Sequence, residues 1–149
     1  MIATLRGRWQ TRLYLLLIIG GLVTIPFGLW NTVVARSIAG YIVPYVVLVL
    51  VLLLGFVWDV LYNFLQKMTW DHDWPPILQI LTGLAEANVV WLLIQQWNQV
   101  APPNLRLGLS LGAFALHYTT VWLVTFLFAQ GAMRILFPRW RFYGGEIWR

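Results

Sequence analysis

Three ionisable residues, Asp59, Glu86 and His117, lie within or at the end of long apolar stretches of this 149-residue chain. An ionised side chain at the centre of a membrane helix costs about 2.5–3.5 kcal/mol on insertion scales. Such residues are retained where they pair with a partner or carry out chemistry. A carboxylic acid and an imidazole at similar depth are the components of a proton relay, so these residues are the first candidates for a functional site.

Further polar residues share helix faces with the two acids. At helical spacing, Gln79 and Thr82 lie on the face of Glu86, and Asn63 lies on the face of Asp59. A membrane bundle turns its polar residues inward, so we expect these faces to converge. The sequence therefore predicts one intramembrane polar cluster, made of Asp59, Asn63, Gln79, Thr82, Glu86 and His117.

Two interpretations of this cluster remain open. In the first, Glu86 contacts His117, and the proton between them responds to a ligand or to the membrane potential. In the second, Glu86 hydrogen-bonds a neighbouring helix and serves only to fix helix packing. The second is favoured, because buried polar groups commonly have this structural role.

Most catalytic and cofactor chemistry lacks the residues it needs. The chain has no cysteine and only two histidines, and it has no phosphate-binding glycine loop, H-E-x-x-H helix or G-x-S-x-G elbow. The run Asp71, His72, Asp73 offers metal-ligand types, but adjacent loop residues rarely converge on one ion, so helix capping is favoured. We expect no cofactor, no metal site and no catalytic residues.

Composition sets the fold class in which the cluster must be positioned. Hydrophobic residues make up 60% of the chain and charged residues only 10%, which is far more apolar than an ordinary soluble domain. Four windows are long enough to cross a bilayer. The sequence predicts an all-α, antiparallel bundle of four transmembrane helices in a single domain over residues 1–149, with helices at about 13–35, 38–64, 75–97 and 107–137.

The basic residues predict the orientation of this bundle. One side collects Arg6, Arg8, Arg12, Lys67, Arg134, Arg139, Arg141 and Arg149, whereas the other has only Arg36 and Arg106. The positive-inside rule therefore puts both termini in the cytoplasm of a cell-membrane protein. The net charge is +5, and the basic residues responsible for it flank apolar segments rather than forming one soluble face. Anionic lipid is therefore the expected partner, and nucleic acid is not.

Specific contacts with lipid headgroups are expected near both termini. Basic and aromatic residues at these places suit the headgroup layer, and the pair Gly144 and Gly145 is expected to release the last residues into solvent. The residues assigned to headgroup contact are Arg6, Arg8, Arg12, Arg139, Trp140 and Arg141.

Small residues predict where helices approach closely. Gly83 with Ala87, and Gly108 with Gly112, have the four-residue spacing that lets two membrane helices pack tightly. They suit internal packing in the first place, or packing against a partner.

Two functional hypotheses follow. The leading one is a small scaffold or accessory subunit of a membrane complex, bound to other membrane subunits or to itself. The alternative is a small proton-coupled transporter or proton-conducting protein centred on Glu86 and His117.

Overall fold

The computed structural model describes residues 3–68 and 76–148, and within these residues the chain is all-helical with no strand. Four helices are long and apolar enough to cross a membrane, as the sequence predicts. The long helices are α1 (Leu5–Ala35), α2 (Ala39–Met68), α3 (Pro76–Val100) and α4 (Leu111–Gln130). A 3₁₀ turn at Pro103–Leu105 precedes α4, and a short helix, α5, follows it at Ala132–Leu136.

Helix α1 begins at Leu5, earlier than the predicted start at residue 13. The Thr4 hydroxyl caps the helix by accepting a hydrogen bond from the Gly7 amide at 3.1 Å. The α-helical backbone is interrupted only by a π-helical turn over Leu15–Gly20. The early start matters because it puts two arginines of the basic N-terminal segment, Arg8 and Arg12, on helix α1 itself.

Helices α1 and α2 form a close hairpin. The connection turns at Arg36, which adopts the left-handed conformation with φ of 50°. Across this turn, the Asn31 side-chain Nδ2 donates to the Gly40 carbonyl at 3.2 Å, and a Cβ at Gly40 would lie 2.7 Å from the Asn31 backbone carbonyl oxygen. Glycine at position 40 therefore permits backbone contact between the two helices near the turn.

The apolar core is built from all four long helices. Val47 on α2 and both Val90 and Ile94 on α3 are at most 1% exposed, and they pack with Leu16 of α1 and Phe114 of α4. Large aliphatic side chains cover the outer surfaces of the same helices. This distribution is typical of helices whose outer faces meet lipid or another apolar partner.

The C-terminal residues pack on the start of α1. The Thr4 amide donates to the Gly144 carbonyl at 2.8 Å, and the Gln10 side-chain amide donates to the Trp148 carbonyl at 3.0 Å. A Cβ at Gly7 would overlap the Gly144 carbonyl oxygen. The expectation that Gly144 and Gly145 release the last residues into solvent is therefore wrong, since both glycines are buried against α1.

Candidate functional site

A buried arginine–carboxylate pair joins α1 to α2. The Arg12 guanidinium binds Asp59 through two hydrogen bonds, Nε to Oδ2 and Nη2 to Oδ1, each 2.9 Å long. Asp59 is only 3% exposed, and the Arg12 side chain is 18% exposed. Two parallel charge-assisted bonds are the strongest geometry available to these side chains.

The same arginine reaches a second carboxylate on α3. Arg12 Nη1 lies 3.4 Å from Glu86 Oε2, and Arg12 Nη2 lies 3.5 Å from Glu86 Oε1. The Tyr62 hydroxyl also donates to Glu86 Oε1 at 3.2 Å. Glu86 is 7% exposed, so its charge is compensated mainly by neighbouring side chains. Arg12, Asp59, Tyr62 and Glu86 are called the charged cluster below.

The local sequence makes room for this cluster. Gly55 lies one turn before Asp59 on α2, and a Cβ there would overlap the Arg12 guanidinium. One turn before Arg12 on α1, the guanidinium of Arg8 donates to the side-chain oxygen of Gln66 at 2.6 Å. Arginines at a four-residue spacing on α1 therefore face polar residues that follow one side of α2.

The structure corrects the expectation for Arg12. This residue was assigned to lipid headgroups because basic residues before an apolar window usually lie at the membrane surface. It lies in the interior instead, because α1 already begins at Leu5 and two acids need a cation at its depth. The sequence held a signal for this position of Arg12. Arg8 and Arg12 are four residues apart and so share one helix face, and Asp59 and Glu86 have no basic residue in their own apolar windows.

The other residues assigned to headgroups occupy different positions. Arg6, Arg139 and Arg141 are exposed, and their contact with lipid stays a prediction. Trp140 is partly buried and donates its indole N–H to the Thr11 hydroxyl at 2.8 Å. Trp140 therefore has a role in attaching the C-terminal segment to α1.

His117 forms its hydrogen bond outside the charged cluster. It is 4% exposed, and its Nε2 lies 3.0 Å from the hydroxyl of Thr24 on α1. The Phe27 ring contacts the imidazole edge to face, with ring centroids 5.0 Å apart. Among the described residues no hydrogen bond joins His117 to Glu86, so the predicted contact between the two is not formed.

A cavity of about 440 Å³ lies between the four helices and has both Glu86 and His117 in its lining. One wall carries the charged side chains Arg12, Asp59 and Glu86, whereas the wall from α4 is largely apolar and aromatic. The lining continues to Arg134 and Arg141 beside the C-terminal segment. The charged cluster and His117 thus face a common space without bonding to each other.

Of the remaining members of the predicted polar cluster, two line this cavity and one does not. Gln79 and Thr82 line it, with the Thr82 hydroxyl donating to the Gln79 carbonyl at 3.2 Å. The Gln79 side-chain oxygen also accepts a 3.4 Å bond from Gln130 of α4. Asn63 is half-buried and does not contribute to the lining.

Only one of the two predicted small-residue pairs lies at an internal helix contact. A Cβ at Gly83 would overlap the indole of Trp122, and Ala87 packs against the apolar core. In contrast, Gly108 precedes α4 with φ of 56°, and a Cβ at Gly108 or Gly112 would meet nothing within 4 Å. The second pair therefore makes no helix contact within the described part of the chain.

Across residues 3–68 and 76–148, no three His, Asp or Glu side chains are grouped as a metal site requires. The run Asp71, His72, Asp73, which was considered for metal binding, lies outside the described residues.

Comparisons with protein-family models, with curated proteins and with solved structures find no match to this chain.

Proposed function

We propose that this chain is a multi-pass membrane protein that acts as a scaffold or accessory subunit of a larger membrane complex. Its four long helices cross the bilayer as one antiparallel bundle with both termini in the cytoplasm. The apolar outer surfaces support insertion, and the excess of Lys and Arg on one side supports this orientation. Contact between the start of α1 and residues 144–148 supports two termini on one side.

An exposed amide on α3 carries the subunit proposal. Asn88 lies at the middle of this 25-residue helix, and its side chain points to the outer surface. Its Nδ2 donates to the Leu84 carbonyl at 2.8 Å, while neighbouring Leu84 and Leu92 are exposed and apolar. A carboxamide facing hydrocarbon is costly, and side-chain hydrogen bonds between membrane helices commonly involve asparagine. A partner helix with a polar group at this depth would satisfy Asn88.

The test is the size of the complex recovered from native membranes. We expect the wild-type chain, extracted in a mild detergent, to migrate in a heavier assembly, and Asn88→Leu to release it. Gln96→Leu is the matched control, because Gln96 is exposed on the same helix nearer its end, where water can reach it. A wild-type chain that is strictly monomeric, or an assembly that Asn88→Leu leaves unchanged, would refute the proposal.

The second candidate function is proton conduction. Its support is the common cavity, which has both Glu86 and His117 in its lining. A proton path through this space would use water or a bound ligand between the two residues, because they do not bond directly.

Proton flux into reconstituted vesicles separates the two candidates. If Glu86 carries the proton, Glu86→Gln abolishes a flux that the wild-type chain supports, whereas Gln96→Leu leaves it intact. A wild-type chain without flux, or a flux that Glu86→Gln does not change, excludes this second function.

A further inference from the structure

The cavity between the four helices occupies only one part of the bundle. Its lining on α3 stops at Glu86 and its lining on α4 starts at His117, although α3 extends beyond Glu86 and α4 begins before His117. Beyond these two residues the helices are packed, since Val90, Ile94 and Phe114 are at most 3% exposed and do not line the cavity. The cavity is therefore closed toward this end of the bundle.

The cavity reaches the surface at its opposite end. Among the described residues that line it, only Arg134 and Arg141 are exposed, and both follow α4 in the chain. Thr11 and Gly145 line the same region, and the Thr11 hydroxyl donates to the Gly145 carbonyl at 2.9 Å. The opening thus lies beside the contact between the C-terminal segment and the start of α1. The end of the bundle where these two termini meet is called the terminal end below.

The wall of the cavity has the polar groups that hold water. On α4 the lining includes Thr125 and Gln130, and on α3 it includes Gln79 and Thr82. The cavity volume of about 440 Å³ is many times the roughly 30 Å³ that one water occupies in the liquid. A polar cavity of this size that opens to the surface fills with water, whereas a closed apolar one stays dry.

Positive charge exceeds negative charge in the described lining. The lining has only two acids, Asp59 and Glu86, and Arg12 binds both of them. Four arginines line the cavity, namely Arg8, Arg12, Arg134 and Arg141. At the opening, Arg134 donates to the neutral side chain of Gln130 at 2.8 Å, so this contact leaves its charge in place. A cleft with apolar walls and an excess of one charge concentrates ions of the opposite sign.

We propose that this cavity is a water-filled vestibule, open at the terminal end and closed at the other, that admits small anions as far as Arg12. The excess of arginine selects the sign of the ion, and the packed residues Val90, Ile94 and Phe114 block its passage beyond the vestibule. The inference rests on the membrane insertion proposed for this chain, but not on the subunit role or on the contact at Asn88.

Thiol accessibility tests the vestibule, because the chain has no cysteine of its own. Thr125→Cys puts a single thiol on the cavity wall, and Thr120→Cys is its matched control. Both threonine hydroxyls donate to backbone carbonyls of α4, but Thr120 does not line the cavity. Thr82→Cys is a second cavity thiol, on α3, so that the result does not depend on one substitution. Arg6→Cys and Ser37→Cys, at exposed positions, mark the two sides of the membrane.

The full-length variants are treated in sealed membrane vesicles of both orientations. The probes are two membrane-impermeant methanethiosulfonates of similar size, one with a sulfonate group and one with a trimethylammonium group. Each rate is divided by the rate for a free thiol in solution, which removes the intrinsic difference between the reagents. We expect both cavity thiols to react only from the side that labels Arg6→Cys, and Thr120→Cys to react from neither side.

The charge of the reagent should change the rate at the cavity thiols. After this correction we expect the sulfonate to react about tenfold faster than the trimethylammonium reagent, the lower end of the effect of a charged cleft. Arg134→Gln combined with Arg141→Gln should lower this ratio by about threefold or more without changing the side of entry. Arg6→Gln is the control and should leave the ratio unchanged, because Arg6 does not line the cavity.

Three results would overturn the proposal. These are cavity thiols that react with neither reagent, cavity thiols that react from the side of Ser37→Cys, and a preference for the sulfonate that is absent or survives removal of the two arginines. Labelling of Arg6→Cys and Ser37→Cys from the same side would instead contradict the membrane crossing itself, and would remove the proposed function together with this inference.

Discussion

Replacing Arg12 by methionine should destabilise the fold far more than any other single change of charge in the N-terminal segment. The substitution keeps the aliphatic stem but removes the two 2.9 Å bonds to Asp59 and the longer contacts, 3.4 and 3.5 Å, to Glu86. Two buried carboxylates then lose their common cation. Removing one partner of a buried ion pair costs about 3–5 kcal/mol, and the two short bonds to Asp59 account for most of it.

A compensating variant separates this explanation from loss of packing. In Arg12→Met combined with Asp59→Asn and Glu86→Gln, neither acid is left as an uncompensated buried charge, so we expect at least half of the lost stability to return. Arg6→Met is the matched control, because Arg6 lies on the same helix with its side chain exposed, and its cost should stay within about 0.5 kcal/mol.

The assay is the free energy of unfolding in bicelles, measured for the wild-type chain and for the three variants. The reasoning about the charged cluster fails if Arg12→Met costs no more than Arg6→Met. It also fails if the triple variant is as unstable as Arg12→Met, since the loss would then come from packing rather than from charge.

Two further substitutions test the contacts around the cavity. Gly83→Ala should lower the free energy of unfolding by about 1–3 kcal/mol, because the added methyl group meets Trp122. Gly112→Ala is the control and should be neutral or stabilising, because its methyl group meets nothing within 4 Å. Equal effects of the two substitutions would contradict the close contact between Gly83 and Trp122. The Thr24 hydroxyl donates to the Gly20 carbonyl and therefore accepts from Nε2 of His117. Thr24→Val should cost about 1–3 kcal/mol by leaving Nε2 of His117 without its acceptor, and it should change the ¹⁵N signals of the imidazole. Unchanged signals would show that the Thr24 hydroxyl does not select the tautomer.

The polar residues could be located along the helices from the sequence, but their partners could not. Asp59, Glu86 and His117 stand out because ionisable residues are rare in apolar windows, and all three are buried. Their partners depend on how far each helix is rotated and shifted along its neighbours. Hence Glu86 meets Arg12 rather than His117, and His117 meets Thr24, a residue that nothing in its apolar surroundings singles out.

The sequence by itself determined the four membrane-length helices. Apolar stretches of this length are long enough to cross a bilayer, where a segment must satisfy its backbone hydrogen bonds internally, and the helix does so with local bonds alone. Local information also placed the chain in the all-helical class, because no stretch needs a distant segment as its partner.

Only the tertiary structure decided which side chains meet. The interior position of Arg12 requires α1, α2 and α3 to approach at one depth, and Gly55 to leave space for the guanidinium. The contrast between Gly83, which meets Trp122, and Gly112, which meets nothing, arises in the same way. The physical reason is that van der Waals packing of whole helix surfaces fixes rotation and register, and that energy is spread over many distant residues.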